Sequence, residues 1–309
     1  MKNLCLASLL LCATAGFAMP IASSARAMVP SDLQQLIGVD YRALKDSPTA
    51  QALKDKVLPQ NLKDLETALK GIGISSARDL DQLDFASFRT EKKGIQTIGV
   101  AQGSFSAKVV LKKFKVKKIT GTKYGTYRIY PMDSGLVMVF LDDNTLAFGE
   151  EASLKSALDT MDGKRPSMDS NPVMSDQMSA VDGSPVWSIL DQQGTQAMMM
   201  SAMGEGAKVG DFDSLKKRIQ ASRYTMNFQS GVNFDLTVQT ADSMTAATLS
   251  TLLKGVMLYK KLNATAAEKT AIDAATVDSD SANLQLHFKS DDQKFQSLMN
   301  TPLFAAVSH

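Results

Sequence analysis

The chain has 309 residues, with 34 Lys and Arg against 32 Asp and Glu, two His, two Cys and 44% hydrophobic residues. That length supports a large core in one or two domains, and the near-neutral charge gives no electrostatic basis for nucleic-acid binding. Chemistry that relies on imidazole bases or thiolates has almost nothing to draw on, because both cysteines, Cys5 and Cys12, lie at the extreme N-terminus.

Residues 1–27 read as a secretory signal peptide. Lys2 supplies the positive start, Leu4 to Ala18 the apolar centre, and Ala25-Arg26-Ala27 the small-residue cleavage pattern. Cleavage near Ala27 starts the mature chain at Met28, leaves it free of cysteine and places it in the periplasm or outside the cell. Cys12 follows Leu11, which is not the small residue a lipid-attachment site requires. No later run approaches the roughly 20 apolar residues of a membrane span. Removing Lys2 and Arg26 brings the formal charge from +2 to zero. Residues 28–165 then carry 21 basic and 17 acidic side chains, and residues 166–309 carry 11 and 15. Opposite signs favour docking of the halves, weakly, because salt screens surface charge.

Leu33 to Tyr41 reads as a first strand, with a helix starting at Pro30-Ser31-Asp32 as the competing reading. Ala50, Leu53 and Val57, then Leu62, Leu65, Ala68 and Leu69, have helical spacing broken at Pro59, which predicts two short helices ending at Gly71-Ile72-Gly73. Phe85 and Phe88 precede a turn at Lys92-Lys93-Gly94, and Ile95 to Gly103 reads as a strand. Ser106 caps a helix holding Val109, Val110 and Phe114. Tyr124 to Tyr130 alternates as one strand, Leu136 to Leu141 is apolar enough for the middle of a sheet, and Asp142-Asp143-Asn144 turns into the strand Leu146 to Phe148. The three form an antiparallel meander. Leu154, Ala157, Leu158 and Met161 then define a helix started by Glu150 and Glu151 and stopped by Gly163.

Asp162 to Pro172 reads as a connector. Beyond it, Met174 and Met178 suit a short helix, Pro185 to Leu190 a strand and Gln196 to Met203 a Met-rich helix. Gly204 to Gly210 reads as a mobile loop. Tyr224 to Phe228 and Phe234 to Val238 form a hairpin around Gly231. Asp242 or Ser243 caps the best helix of the chain, with Met244, Thr248, Leu252, Gly255, Leu258 and Leu262 along one face. Leu284, Leu286 and Phe288 give the last strand, and Phe295, Leu298 and Met299 the last helix.

The punctuation of the first half resembles a group of secreted bacterial proteins of unknown function. The shared features are the Tyr-Gly-x-Tyr strand (Tyr124 to Tyr127), the apolar strand ending in Asp-Asp (Leu141 to Asp143), the strand end Leu146 to Gly149, and Asp162-Gly163 ahead of Asn171-Pro172. The resemblance covers about residues 30–190. It implies a mixed α/β fold outside the cytoplasm and transfers no catalytic residue.

Motifs for catalysis are missing. There is no Gly-x-Ser-x-Gly, phosphate-binding loop or His-Glu-x-x-His, and Gly71-Ile72-Gly73 lacks the third glycine of a dinucleotide site. His287 and the terminal His309 are the histidines, and His287 alternates out of phase with Leu286 and Phe288 on a strand. Asp142, Asp143, Glu150 and Glu151 bracket one hairpin, so a carboxylate pair for glycoside hydrolysis is conceivable, although turn chemistry and helix-start charge account for all four. Two features stand above this background. From Lys92 to Met132 no acidic residue interrupts ten cations, of which Lys108, Lys112, Lys113, Lys115, Lys117, Lys118 and Lys123 form a candidate face for an anionic partner, against the plainer account of a solvated face or protected sheet edge. Met198-Met199-Met200 and Met203, with Met168, Met174 and Met178 upstream, suit packing, with a Cu(I) site as the sharper reading and an adaptable apolar groove as a third.

Together these readings predict an α+β protein of two packed sheet-and-helix halves, residues 28–165 and 166–309, with mainly antiparallel sheets and helices on one face. The repeated element order fits a structural duplication, without residue-level repetition. The predicted role is an exported, cofactor-free, non-enzymatic binding or structural protein of the bacterial cell envelope, whose partner is a protein or an anionic envelope component. A carrier of an apolar lipid or peptide between sheet and helices, and a carboxylate-dependent hydrolase, are the alternatives.

Overall fold

The computed structural model describes residues 21–57, 67–90, 94–132, 135–181, 183–203 and 212–307. The strands are β1 (Leu33–Asp40), β2 (Leu80–Thr90), β3 (Gly94–Gly103), β4 (Thr122–Tyr124), β5 (Tyr127–Pro131), β6 (Val137–Phe140), β7 (Thr145–Gly149), β8 (Val186–Leu190), β9 (Ile219–Asn227), β10 (Val232–Thr240), β11 (Ala275–Asp280) and β12 (Asn283–Ser290). They form one sheet in the order β11-β12-β10-β9-β8-β1-β2-β3-β7-β6-β5-β4. Every pairing is antiparallel. β1 bonds to β2 on one edge and to β8 on the other, so strand pairing runs without a break from one half of the chain to the other.

The helices are α1 (Ser23–Met28), α2 (Tyr41–Leu44), α3 (Pro48–Val57), α4 (residues 67–71), α5 (Ser76–Asp79), α6 (Ala107–Val116), α7 (Glu151–Met161), α8 (Pro172–Ser179), α9 (Gln192–Met203), α10 (Phe212–Lys216), α11 (Ser243–Leu262), α12 (Ala266–Asp273), α13 (Asp292–Leu298) and α14 (Pro302–Val307). The fold is α+β, as expected, but the helices do not keep to one face. On the first face, Leu36, Phe88, Ile98, Val139 and Ile189 pack with residues of α1, α7 and α8. On the second, Phe85, Ala101, Met138, Leu146 and Phe148 meet α4 and α6, and Val238 and Leu284 meet α9 and α11. Composition explains the difference between halves. β6 and β7 are apolar on both sides and need two covers, whereas β10 alternates Phe234, Leu236 and Val238 with Asp235, Thr237 and Gln239, so one side faces water. On that side Thr225, Asp235, His287 and Thr276 lie in a row across β9, β10, β12 and β11.

Two glycines let aromatic rings lie flat on a neighbouring strand. A Cβ on Gly38 would stand 2.3 Å from the ring of Trp187, and one on Gly99 would stand 1.9 Å from that of Phe148. Trp187, fully buried, therefore sits over the β1–β8 seam.

Three local expectations are revised. Tyr124 to Tyr130 is not one strand: Gly125, at φ 58, opens a two-residue turn and makes β4 and β5 a hairpin. Val109 points outward from α6, while Val110 and Phe114 are buried. On α11 the stripe Met244, Thr248, Gly255, Leu258 and Leu262 is the outer face, and Ala246, Leu249, Leu253 and Val256 are the buried one. The segment read as the end of the leader also carries structure. Ile21, Ala25 and Met28 belong to the first-face core, α1 contacts α7, and Arg26 pairs with Asp169 at 2.7 Å. Leu62, Leu65, the turn at Lys92-Lys93 and the loop from Gly204 to Gly210 lie outside the described residues, as does His309.

Candidate functional site

The basic run is organised around α6. Ser106 makes no side-chain cap; the Asp142-Asp143-Asn144 turn holds the helix start instead. The Asp143 carbonyl accepts the Ala107 N–H at 2.9 Å, and the Asn144 side chain donates to the carbonyls of Gly103 and Phe105 at 3.2 and 3.1 Å. Ala107, Val110 and Phe114 face the sheet, with the Phe114 ring 5.3 Å from that of Tyr130. That rotation sends Lys108, Lys112, Lys113 and Lys115 to solvent, together with Val109 and Val116, which are 55% and 79% exposed. The helix ends in a Schellman turn: Ile119 N–H bonds to the Phe114 carbonyl at 2.9 Å and Lys118 N–H to that of Lys115 at 3.2 Å. Lys118 takes the left-handed position at φ 56, an unusual place for a lysine.

Lys123 on β4 stands opposite Arg128 on β5, and Arg128 shares a sheet side with Tyr130, which packs on α6. All seven lysines singled out from the sequence therefore gather around one helix and the adjoining sheet edge, and Arg128 joins them. Of the seven, Lys108 alone forms an ion pair among the described residues, with Asp143 at 3.3 Å. Lys117 donates to the Gly71 carbonyl at 3.4 Å. Asp79 lies close by, its carboxyl held below the usual range chiefly by the bond from Arg78, with the Lys113 charge adding to it.

The other candidates each have local partners. Asp142 accepts the Asn144 N–H at 2.8 Å, Glu151 pairs with Lys155 one turn on at 2.6 Å, and Glu150 occupies the N-cap of α7. His287 Nδ1 lies 2.5 Å from Asp235 on the open sheet face, with both side chains about half exposed. The methionines diverge: Met168, Met174 and Met178 enter the first-face core, and Met199 and Met203 the second. Among the described residues no three His, Cys, Asp or Glu side chains converge as a metal site would require. An open hollow beside Leu258, Tyr259, Leu262 and Lys269 lies on the outer side of α11 rather than between helix and sheet.

The tyrosines of the Tyr-Gly-x-Tyr strand have a partner that the sequence motif did not reveal. Tyr124 and Tyr127 donate to Asp159 and Asp162 at 2.8 and 2.9 Å, and Lys164 bonds both carboxylates. The Asp159 bond pushes the Tyr124 phenol up, and burial followed by the Asp162 bond does the same for Tyr127. Together they tie the edge hairpin to the end of α7.

No family model and no curated protein sequence matches the chain. Among solved structures, crystal form I of TP0453 is similar at 10% identity and TM-score 0.49, covering 89% of this chain and 95% of that one. Crystal form III of the same protein gives 10% identity, TM-score 0.47 and 96% coverage of that chain. At that distance no residue role passes to this chain.

Proposed function

We propose that the chain is an exported, non-catalytic binding protein of the bacterial cell envelope that lays its α6 face against an anionic surface. The observation that carries this reading is the gathering of Lys108, Lys112, Lys113, Lys115, Lys117, Lys118 and Lys123 around one helix, with a single ion pair to them among the described residues. Each lysine brought to an anionic membrane surface contributes about 1 kcal/mol, and the field decays within a Debye length of about 8 Å at physiological salt. A crown of several lysines on one helix stays within that distance, and Val109 and Val116 add apolar contact between them.

The test is co-sedimentation with phosphatidylcholine vesicles, with and without phosphatidylglycerol, at low and high NaCl. Binding is expected with the anionic vesicles only and to fall with salt. Changing Lys112, Lys113, Lys117 and Lys118 to Gln is expected to weaken it at least about tenfold with circular dichroism unchanged. Competition by a soluble acidic polysaccharide separates a glycan target from lipid headgroups. Binding indifferent to salt and to the four changes refutes the basic face.

A further inference from the structure

α11 is a helix of 20 residues with two uncharged sides, and only one of them meets the sheet. The outer side runs Met244, Ala247, Thr248, Thr251, Gly255, Leu258, Tyr259 and Leu262, three or four residues apart, so it is a straight stripe along the whole helix. Met244, Leu258, Tyr259 and Leu262 are 79%, 66%, 65% and 75% exposed. The threonines add to its apolar character: Thr248 and Thr251 donate their hydroxyls back to the carbonyls of Met244 and Ala247 at 2.8 and 3.0 Å, leaving methyl groups outward. Lysines border the stripe but are tied to their own chain. Lys254 pairs with Asp278 at 3.6 Å, Lys261 with Asp273, and Lys260 donates to the Ala202 carbonyl. A contiguous apolar stripe of this kind on an exposed helix face marks an interaction surface.

We infer that the occupant is a second copy of this chain, bound through α11 against α11 in antiparallel alignment. The stripe is complementary to itself in that alignment. Setting Thr251 against the partner's Gly255 brings Thr248 to the partner's Leu258, Ala247 to the partner's Tyr259 and Met244 to the partner's Leu262. At the three inner levels a small residue faces a larger one or another small one, and nothing lies within 4 Å of a Cβ at Gly255, where the two backbones approach most closely. Met244 enters the hollow lined by Leu258, Tyr259 and Leu262 of the other copy. Antiparallel helix dipoles attract, and the Lys260-Lys261 end of one helix comes beside the Asp242 cap of the other. A parallel pair would instead stack Leu258 on Leu258 and align the dipoles unfavourably. The contact is one helix wide, below a standard interface, so the dimer is weak, with a dissociation constant on the order of 10 μM or above.

The test uses the full chain with Cys5→Ser and Cys12→Ser. Mixing Thr251→Cys protein with Gly255→Cys protein under mild oxidation is expected to give a disulfide-linked dimer. Mixing Met244→Cys with Gly255→Cys, about two turns out of alignment, is expected to give little. Sedimentation equilibrium should show concentration-dependent dimer that Gly255→Lys abolishes while leaving the circular dichroism intact. A monomer at all concentrations up to about a hundred times the 10 μM estimate, or cross-links that prefer the mismatched pair, overturns the inference. Binding of the unmodified stripe to phosphatidylcholine vesicles without self-association makes a lipid surface the occupant and overturns it as well.

Discussion

Replacing Gly38 with Ala probes the seam where the two halves join. In β1 the backbone of Gly38 lies beneath the Trp187 ring of β8, and a methyl group there would stand 2.3 and 2.4 Å from two ring carbons and 2.6 Å from Nε1. No ordinary contact is that short, and Trp187 is fully buried, so the ring cannot swing into solvent. The neighbouring strand must move or the ring must leave its rotamer, which places the change among overpacking substitutions costing about 1–3 kcal/mol. For a chain of this length, at about 2.1 cal/mol/K of unfolding entropy per residue, about 1 kcal/mol corresponds to about 1.5 °C in Tm. Trp187 is the sole tryptophan, so its emission reports the seam while far-UV circular dichroism reports the whole fold. Urea titrations followed by both signals should show Gly38→Ala lowered in stability with a red-shifted native emission. In a Trp187→Leu background the same Ala should cost less, with a coupling of at least about 1 kcal/mol. A Gly38→Ala protein within about 0.5 kcal/mol of the parent, with unshifted emission, would refute the strand pairing drawn between β1 and β8.

Three other outcomes are expected. Glu268 caps α12 and accepts the N–H of Thr265 at 2.7 Å and that of Leu303 at 2.8 Å, bonds that hold its carboxyl below the ordinary value. Because the native carboxyl is the stronger acid, its contribution is present at neutral pH and is lost as pH falls below about 4.5 through the native value; thermal melts of Glu268→Gln and parent should differ at pH 7 and draw together as the pH is lowered through the acid range. Lys118→Gly relieves the left-handed strain at the end of α6 and should raise stability by about 0.5–1 kcal/mol, whereas a loss in urea titration would contradict the Schellman turn. Cleavage after Ala27 would remove Ile21 and Ala25 from the core, together with the solvent-exposed Arg26–Asp169 pair, so a chain starting at Met28 should melt below one that keeps residues 21–27; a Met28 start with full stability would contradict the packing of α1.

Local signals in the sequence were enough for elements whose alternation or punctuation is strong. β10, the β9–β10 hairpin at Gly231, the β6–β7 turn and the stop of α7 at Gly163 all follow from residues a few positions apart. Where two patterns compete, periodicity alone selects wrongly: α11 carries two apolar stripes, and the outer one is the longer. Tyr124 to Tyr130 hides a hairpin because its turn is only Gly125 and Thr126 between tyrosines that favour strands. β11, with Val277 as its one buried apolar residue, is too polar to stand out, as an edge strand can be. The lysine face was legible as composition, since a run without acidic residues needs no fold to be noticed. Its geometry was not, because it depends on which side Phe114 presents to Tyr130. Sheet order was illegible for a physical reason: β1 finds β8 through contacts that no nearby residue encodes.

The ribosome delivers the N-terminus first, and that vectorial order matters for a strand shared between two partners. Gln35 and Ser188, hydrogen-bonded across the seam, are 153 positions apart. β2 can zip onto β1 early, after which the opposite rim of β1 stays unfilled until the region around Trp187 arrives. An unfilled rim recruits whatever extended peptide is at hand, so the interval before β8 docks is when this molecule most needs a holdase or a slow, guarded passage.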